Sequence, residues 1–286
     1  MNTKTNSAAP TVGSSALFAL DSIICGDNCE VMRQWPSECI DLVVTSPPYD
    51  DLREYGKHEW DFYGVAWNLA RLLKPGGVIV WVVADATKDG SETLTSMRQA
   101  IHFHDRCGLN VHDTMIYKQA GTGAKGSNLA YWQAWEYMLI LSKGQPKTVN
   151  RIKDRKNLWA GDVSGAGRKK SNGETKDKKR RVTAERGIRE NVWRYTFDMQ
   201  TAGHPAPFPQ SLASDHIQSW SNPGDIVLDP FAGSGTTLKA AKELNRRYVG
   251  IEVNPKYVEI CEKRTAQEVL SLFEANAEVS HPTKEG

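Results

Sequence analysis

Along most of the chain, short apolar runs alternate with stretches whose apolar residues recur at helical spacing. The runs are SIICGD (22–27), IDLVVTS (40–46), GGVIVWVVAD (76–85), DTMIYKQ (113–119), EYMLILSKG (136–144), DIVLDPF (225–231) and YVGIEV (248–253). Several are nearly continuous in Val, Ile and Leu, the pattern of strands buried on both faces. Between them, the spacing predicts helices over about 62–73, 91–107, 236–244 and 257–275. Strand–helix alternation of this kind predicts an α/β fold, a doubly wound and mostly parallel sheet. The rhythm fails between Gly144 and Glu190, a Gly-, Lys- and Arg-rich stretch too long for an ordinary connection.

Composition narrows the class. The chain has 286 residues, 40% of them apolar, enough for a core of normal size. No run of about 18 apolar residues occurs, so no membrane helix is expected. The N-terminus is polar and lacks a basic start followed by an apolar stretch, so it does not read as a secretory signal. Cys25, Cys29, Cys39, Cys107 and Cys261 are scattered and odd in number, which suggests reduced thiols in a cytoplasmic protein. Cys25 and Cys29 lack the second pair that a zinc site would need. His102 and His104 in HFHDRC would point in different directions on a helix, so no metal site is expected. Net charge is +2, but residues 151–194 hold 15 Lys and Arg against 6 Asp and Glu. A basic segment on a mildly acidic body points to a local polyanion contact or to a solvated loop.

Two segments carry chemistry. DIVLDPFAGSGTT (225–237) reads as a strand, a glycine turn and a helix. Gly233 and Gly235 permit a tight bend and close approach of a ligand. Glu252, seventeen residues after Gly235 at the end of the next strand, could accept hydrogen bonds from both hydroxyls of a ribose. A dinucleotide fingerprint fails because Leu238 stands where the third glycine belongs. By itself the glycine pair also fits a plain structural turn. In IDLVVTSPPYDDLREYG (40–56), a buried strand stops at Pro47 and Pro48. The prolines fix the turn and leave the carbonyls of Ser46 and Pro47 free to accept, with the aromatic Tyr49 beside them. An exocyclic amino nitrogen on a base is a poor nucleophile, because its lone pair is delocalised into the ring. Acceptors that hold its two hydrogens out of plane aim the lone pair at an electrophile. An aromatic face can stack on a base taken out of its helix. Asp50 and Asp51 follow as accessory acceptors or solvated carboxylates. No Pro-Cys dipeptide occurs, so ring-carbon methylation through a cysteine nucleophile has no candidate.

DPFAGSGTT followed by IEVNPKY resembles motifs I and II of the S-adenosylmethionine-dependent amino methyltransferases of DNA, and SPPY resembles their motif IV. LLKPGGVIVWV (72–82) is similar to a segment common across this fold. EYMLILSKG, NVWRYTF (191–197) and GHPAPFP (203–209) fit in turn the strand before target recognition, the return to the catalytic domain, and motif X. The catalytic motif precedes the cofactor loop with the basic segment between, an order that resembles the β class. The resemblance implies that Ser46, Pro47, Pro48 and Tyr49 are catalytic. It implies that Asp229, Phe231, Ala232, Gly233, Ser234, Gly235 and Thr236 border the cofactor's methionine and ribose. Glu252 would hold the ribose, Asp27 would face the adenine amino group, and Phe208 would contact the methionine end.

The resulting organisation is a disordered leader (1–17), a first catalytic part (18–144), a basic target-recognition insertion (145–194), a second catalytic part (195–274) and a flexible tail (275–286). Lys125, Arg168, Lys169, Lys170, Lys178, Lys179, Arg180 and Arg181 are the DNA-contact candidates, mainly through phosphates. Trp132, Trp135, Trp159 and Trp193 flank these regions, and most of them are read as packing residues. The expected activity is site-specific methylation of double-stranded DNA. Within the family SPPY is associated more with cytosine N4 and DPPY with adenine N6, so cytosine is favoured and adenine is the alternative. RNA or a protein amide as substrate, and a non-catalytic cofactor-binding DNA protein, are the other readings. Many members of the β class resemble homodimers, but the sequence shows no interface; a homodimer and a cognate restriction enzyme stay open as partners, and the sequence reveals neither.

Overall fold

The computed structural model describes residues 19–48, 60–120, 131, 133–164, 181–196 and 208–266. The expected leader and tail lie outside them. Eight strands form one sheet: β1 (Ser22–Cys25), β2 (Ile40–Thr45), β3 (Leu73–Val83), β4 (Asn110–Ala120), β5 (Trp135–Ser142), β6 (Val192–Thr196), β7 (Ile226–Asp229) and β8 (Arg247–Glu252). Their order is β1-β8-β7-β2-β3-β5-β4-β6. Neighbours from β1 through β3 are parallel. β5 runs antiparallel to both β3 and β4, and β6 returns parallel to β4. The expected insertion boundary at 194 therefore falls inside a strand of the main sheet.

Alternation along the central strands sorts side chains into two cores. Val43, Ile79, Trp81 and Val83 meet α1 (Asn28–Arg33), α2 (Phe62–Leu72) and α3 (Thr95–Asp105) on one face. Leu42, Val44, Val78, Val80 and Val82 meet α4 (Gln210–Trp220), α5 (Thr236–Glu243) and Cys261 of α6 (Pro255–Ala266) on the other. This is the doubly wound arrangement that the buried apolar runs predict. Trp81 shows how polarity is handled in the core: its fully buried indole donates to Gln99 Oε1 at 2.8 Å. Among the described residues, no helix is long and apolar enough to cross a membrane.

The structure corrects several expectations. The helix expected from Ser91 starts at Thr95, because Thr87–Lys88 and Ser91–Glu92 form a small hairpin. Its turn residues Asp89 and Gly90 have φ 50° and 79°, as a tight hairpin of this hand requires. α1 and α4 have no counterpart in the spacing-based reading. Trp159 is not a packing residue; it is 72% exposed. Trp135 is also exposed, whereas Trp193 is buried and stacks on His216 with ring centroids 4.5 Å apart. His104 pairs with Asp105, and His102 packs between Phe62 and Tyr63. Among the described residues there is no cluster that could hold a metal, and the five cysteines are free thiols.

Candidate active site at the sheet's switch point

Strands added after β2 move outward on one side (β3, β5, β4, β6), while β7 leads outward on the other (β8, β1). The order reverses between β2 and β7, where ligands bind at the carboxyl ends of strands in open α/β sheets. The two segments singled out by their chemistry leave the sheet at this point. Ser46-Pro47-Pro48 follows β2, and Asp229 through Gly235 follows β7.

The join between them is built from hydroxyls. Thr45, the last residue of β2, donates its Oγ1 hydrogen to Asp229 Oδ1 at 2.7 Å. Thr237 Oγ1 donates to the carbonyl of Val44 at 3.1 Å. Asp229 is 2% exposed and also accepts from the Phe231 amide. Burial pushes its carboxyl up to about 6, against the lowering effect of the Thr45, Phe231 and Thr237 hydrogen bonds. Asp229 Oδ1 thus accepts from both β2 and the glycine loop, and the residue acts as the hub that sets one against the other.

The loop is threaded tightly. Ala232 through Thr237 are buried, and Gly233 and Gly235 take φ 51° and 80°. A Cβ on Gly235 would stand 2.4 Å from Cys261 Sγ, so only glycine fits between loop and α6. Glu252, at the end of β8, reaches across with both oxygens: Oε2 accepts from the Gly233 amide and Oε1 from the Asn254 amide, each at 2.9 Å. Each carboxylate oxygen has a second lone pair, so this cradle can still accept from two ribose hydroxyls. Asp27 caps α1, accepting from the Glu30 amide through Oδ1, and its side chain is exposed next to β1's end. Phe208 is half-buried against the core on the α4–α5 side. These residues fit a nucleoside cofactor with an amino-acid tail: a carboxylate for the ribose, an acidic group near the sheet edge, and glycine backbone for close approach.

Three side chains that sequence reading missed complete the frame. Trp60 Nε1 donates to the carbonyl of Pro48 at 2.9 Å, and its ring packs edge-on against Phe231 with centroids 5.0 Å apart. It thereby fastens the proline turn to the glycine loop. Arg264 on α6 donates to Ser234 Oγ at 3.2 Å and Thr236 Oγ1 at 3.0 Å, holding the loop against the start of α5. Asn28 Nδ2 donates to the Pro230 carbonyl at 3.1 Å. The signal for Thr45 was present, a hydroxyl ending an apolar strand; nothing local marks Trp60, Arg264 or Asn28. The Pro48 carbonyl is engaged by Trp60. Tyr49, Asp50, Asp51, Lys125, Trp132, Arg168, Lys169, Lys170, Lys178, Lys179 and Arg180 lie outside the described residues, as does the side chain of Arg181.

Comparison with known proteins identifies the family and the fold. The family described as DNA methylase, acting at N6 and N4, matches residues 40–263. The orphan methyltransferase M.BamHII of Bacillus amyloliquefaciens is 46% identical over 250 residues, covering 84% of this chain and 94% of that protein. The DNA adenine methyltransferase YhdJ of Escherichia coli K12 is 28% identical over 262 residues, covering 84% and 80%. The solved structure of PvuII DNA methyltransferase, cytosine-N4-specific, superposes with a TM-score of 0.63 at 21% identity, covering 90% of each chain. The chain belongs to the N6/N4 DNA methylase family, whose methyl donor is S-adenosylmethionine.

Proposed function

We propose that the chain methylates the N4 amino group of cytosine in double-stranded DNA. The observation that carries this reading is the Ser46-Pro47-Pro48 turn at the switch point, next to the glycine loop and fixed to it through Thr45–Asp229 and Trp60. When bound, S-adenosylmethionine supplies a sulfonium-activated methyl group. Glu252 and the backbone at Gly233 hold its ribose, with Asp27 toward the adenine. Ser46 and the Pro47 carbonyl accept the two hydrogens of the target amino group and turn its lone pair toward the methyl. Tyr49, next along the chain, stacks on the extruded base. Rigid mounting of these groups matters because alignment supplies much of the acceleration.

Lys125, Arg168–Lys170 and Lys178–Arg181 neutralise phosphates, giving affinity that falls steeply with salt. Serine at the first motif position favours cytosine. The relative YhdJ, named as an adenine methyltransferase, keeps adenine N6 as the second reading. The exposed apolar residues Tyr63 and Trp67 of α2 and Met97 and Ile101 of α3 support a homodimer, and sedimentation equilibrium tests it. The enzyme acts in the cytoplasm; a partner restriction enzyme is not part of this reading, since the relative M.BamHII is named an orphan methyltransferase. Nucleoside analysis of DNA treated with enzyme and cofactor decides the base. N4-methyl-2′-deoxycytidine is the expected product; N6-methyl-2′-deoxyadenosine overturns cytosine, and transfer that persists in Ser46→Ala overturns the site.

A further inference from the structure

From the segment after β5, a two-stranded arm rises and returns to β6. Arg155–Lys156 pairs with Arg186–Gly187, and Val163–Ser164 pairs with Arg181–Val182, both antiparallel. At its foot, Arg189 donates to Asp154 and to Asp215 of α4, reaches the Tyr195 hydroxyl of β6 at 3.3 Å, and lies 5.0 Å over the Trp193 ring. The arm is thus anchored to the sheet.

Between the two ladders, one strand bulges into a turn of Leu158, Trp159, Ala160 and Gly161. Both ends of this turn are pinned. The Asn157 amide donates to the Glu185 carbonyl, Asn157 Nδ2 to the Ala184 carbonyl, and the Gly161 amide to the Thr183 carbonyl. The Asp162 amide closes the turn on the Trp159 carbonyl, with Gly161 at φ 90°. Yet the side chains on this firm mount are the wrong kind for water: Leu158 is 90% exposed and Trp159 72%. Exposed cations precede them along the arm and stand on its lower ladder, namely Lys153, Arg155, Lys156 and Arg186, within a segment carrying a surplus of nine positive charges.

We propose that Leu158 and Trp159 form a wedge that enters the base stack of the target duplex beside the base to be methylated, while the flanking cations hold phosphates. Resting on the DNA-methylating function proposed above, this deepens it. The charge selects a polyanion, and the apolar tip selects where on it. In paired DNA the extended apolar surfaces are the base faces, so Leu and Trp bury area only by parting a base step. Apolar wedges of this sort unstack and kink duplexes. Trp is suited to the task because its ring stacks on any base and its two torsions lose little freedom. A wedge lowers the cost of extruding the neighbouring base, which must leave the helix before its amino group can meet Ser46.

The test compares two duplexes, one with the target base paired and one with it opposite an abasic site, where extrusion is already eased. In Trp159→Ala, kcat/KM on the paired duplex should fall about 10-fold to 100-fold. Most of that loss should disappear on the abasic duplex, with S-adenosylmethionine affinity and melting temperature unchanged. Trp159→Phe should retain most activity, and Leu158→Ala should show a smaller loss of the same pattern. Wild-type rates on both duplexes, or equal losses on both, would overturn the wedge, as would a changed oligomeric mass in Trp159→Ala. If the wild-type enzyme methylates neither duplex, the DNA reading itself fails instead.

Discussion

Gly235→Ala separates two physical reasons for one glycine. The backbone there lies at φ 80° and ψ 26°, the left-handed region, where a Cβ costs about 1–2 kcal/mol. The added carbon would also stand 2.4 Å from Cys261 Sγ, a distance that forces loop and α6 apart. Over-packing of this kind costs about 1–3 kcal/mol. The expected destabilisation is the sum, about 2–5 kcal/mol. Cys261→Ala leaves a small void in place of a buried sulfur and costs about 1 kcal/mol. In the double variant the nearest remaining atoms are Cys261 Cα and Cβ at 3.4 Å, ordinary contact. The overlap then vanishes and only the backbone strain persists. Urea denaturation of the four proteins should give a favourable coupling of about 1–3 kcal/mol. Calorimetry should show weakened S-adenosylmethionine binding in Gly235→Ala and partial recovery in the double variant. Additivity within about 0.5 kcal/mol would refute the claim that the sulfur is what excludes the side chain.

Other expectations test the frame around the loop. Glu252→Gln replaces an oxygen that meets a backbone amide with a second donor, so cofactor affinity should fall about 10-fold to 100-fold; calorimetric values within twofold of wild type count against the cradle. Trp60→Phe keeps the packing on Phe231 but loses the bond to Pro48, about 1 kcal/mol; kcat should fall about fivefold with cofactor affinity unchanged, and an unaltered kcat counts against the clamp. Burial, with Arg189 nearby, pushes His216 down to about 3, and among the described residues its Nδ1 has no partner. The unfolded chain takes up that proton below about 6.5, so stability falls on acidification by at most about 1.4 kcal/mol per pH unit. Asp229, raised by burial to about 6, acts oppositely: its contribution is full below about 3.8 and lost as pH rises through 6. Asp229→Asn removes the opposing slope, so stability should fall more steeply between pH 6 and 4 than in the parent; parallel melting curves would contradict the assignment.

The legibility of the chain depended on where each element finds its partners. β3 could be read from GGVIVWVVAD because both faces of that strand are buried by apolar neighbours. α1 buries only Cys29 and Met32 in six residues, too little to set a period. α4 reads as polar because it buries His216 and Ser219 and places Asp215 against Arg189 and Tyr195, partners remote in sequence. The proline turn and the glycine loop are visible as local chemistry. Thr45–Asp229, Trp60–Pro48 and Arg264–Ser234 are not, since each joins residues that only folding brings together. Asp229 is expected from its motif to border the cofactor; its bonds to Thr45 and the Phe231 amide add a brace between β2 and the glycine loop that the motif does not reveal.

The sheet order has a consequence for synthesis. β7 and β8 enter between β1 and β2, although more than 180 residues separate Thr45 from Asp229 along the chain. Until residues 226–252 have been made, the edge of β2 that β7 covers and the edge of β1 that β8 covers both stand bare. Such edges recruit other chains, and pairings this distant are slow to form. Newly made protein should therefore depend on chaperones until late in translation. The same insertion brings the glycine loop to the proline turn, so these two segments meet only after β7 has been made.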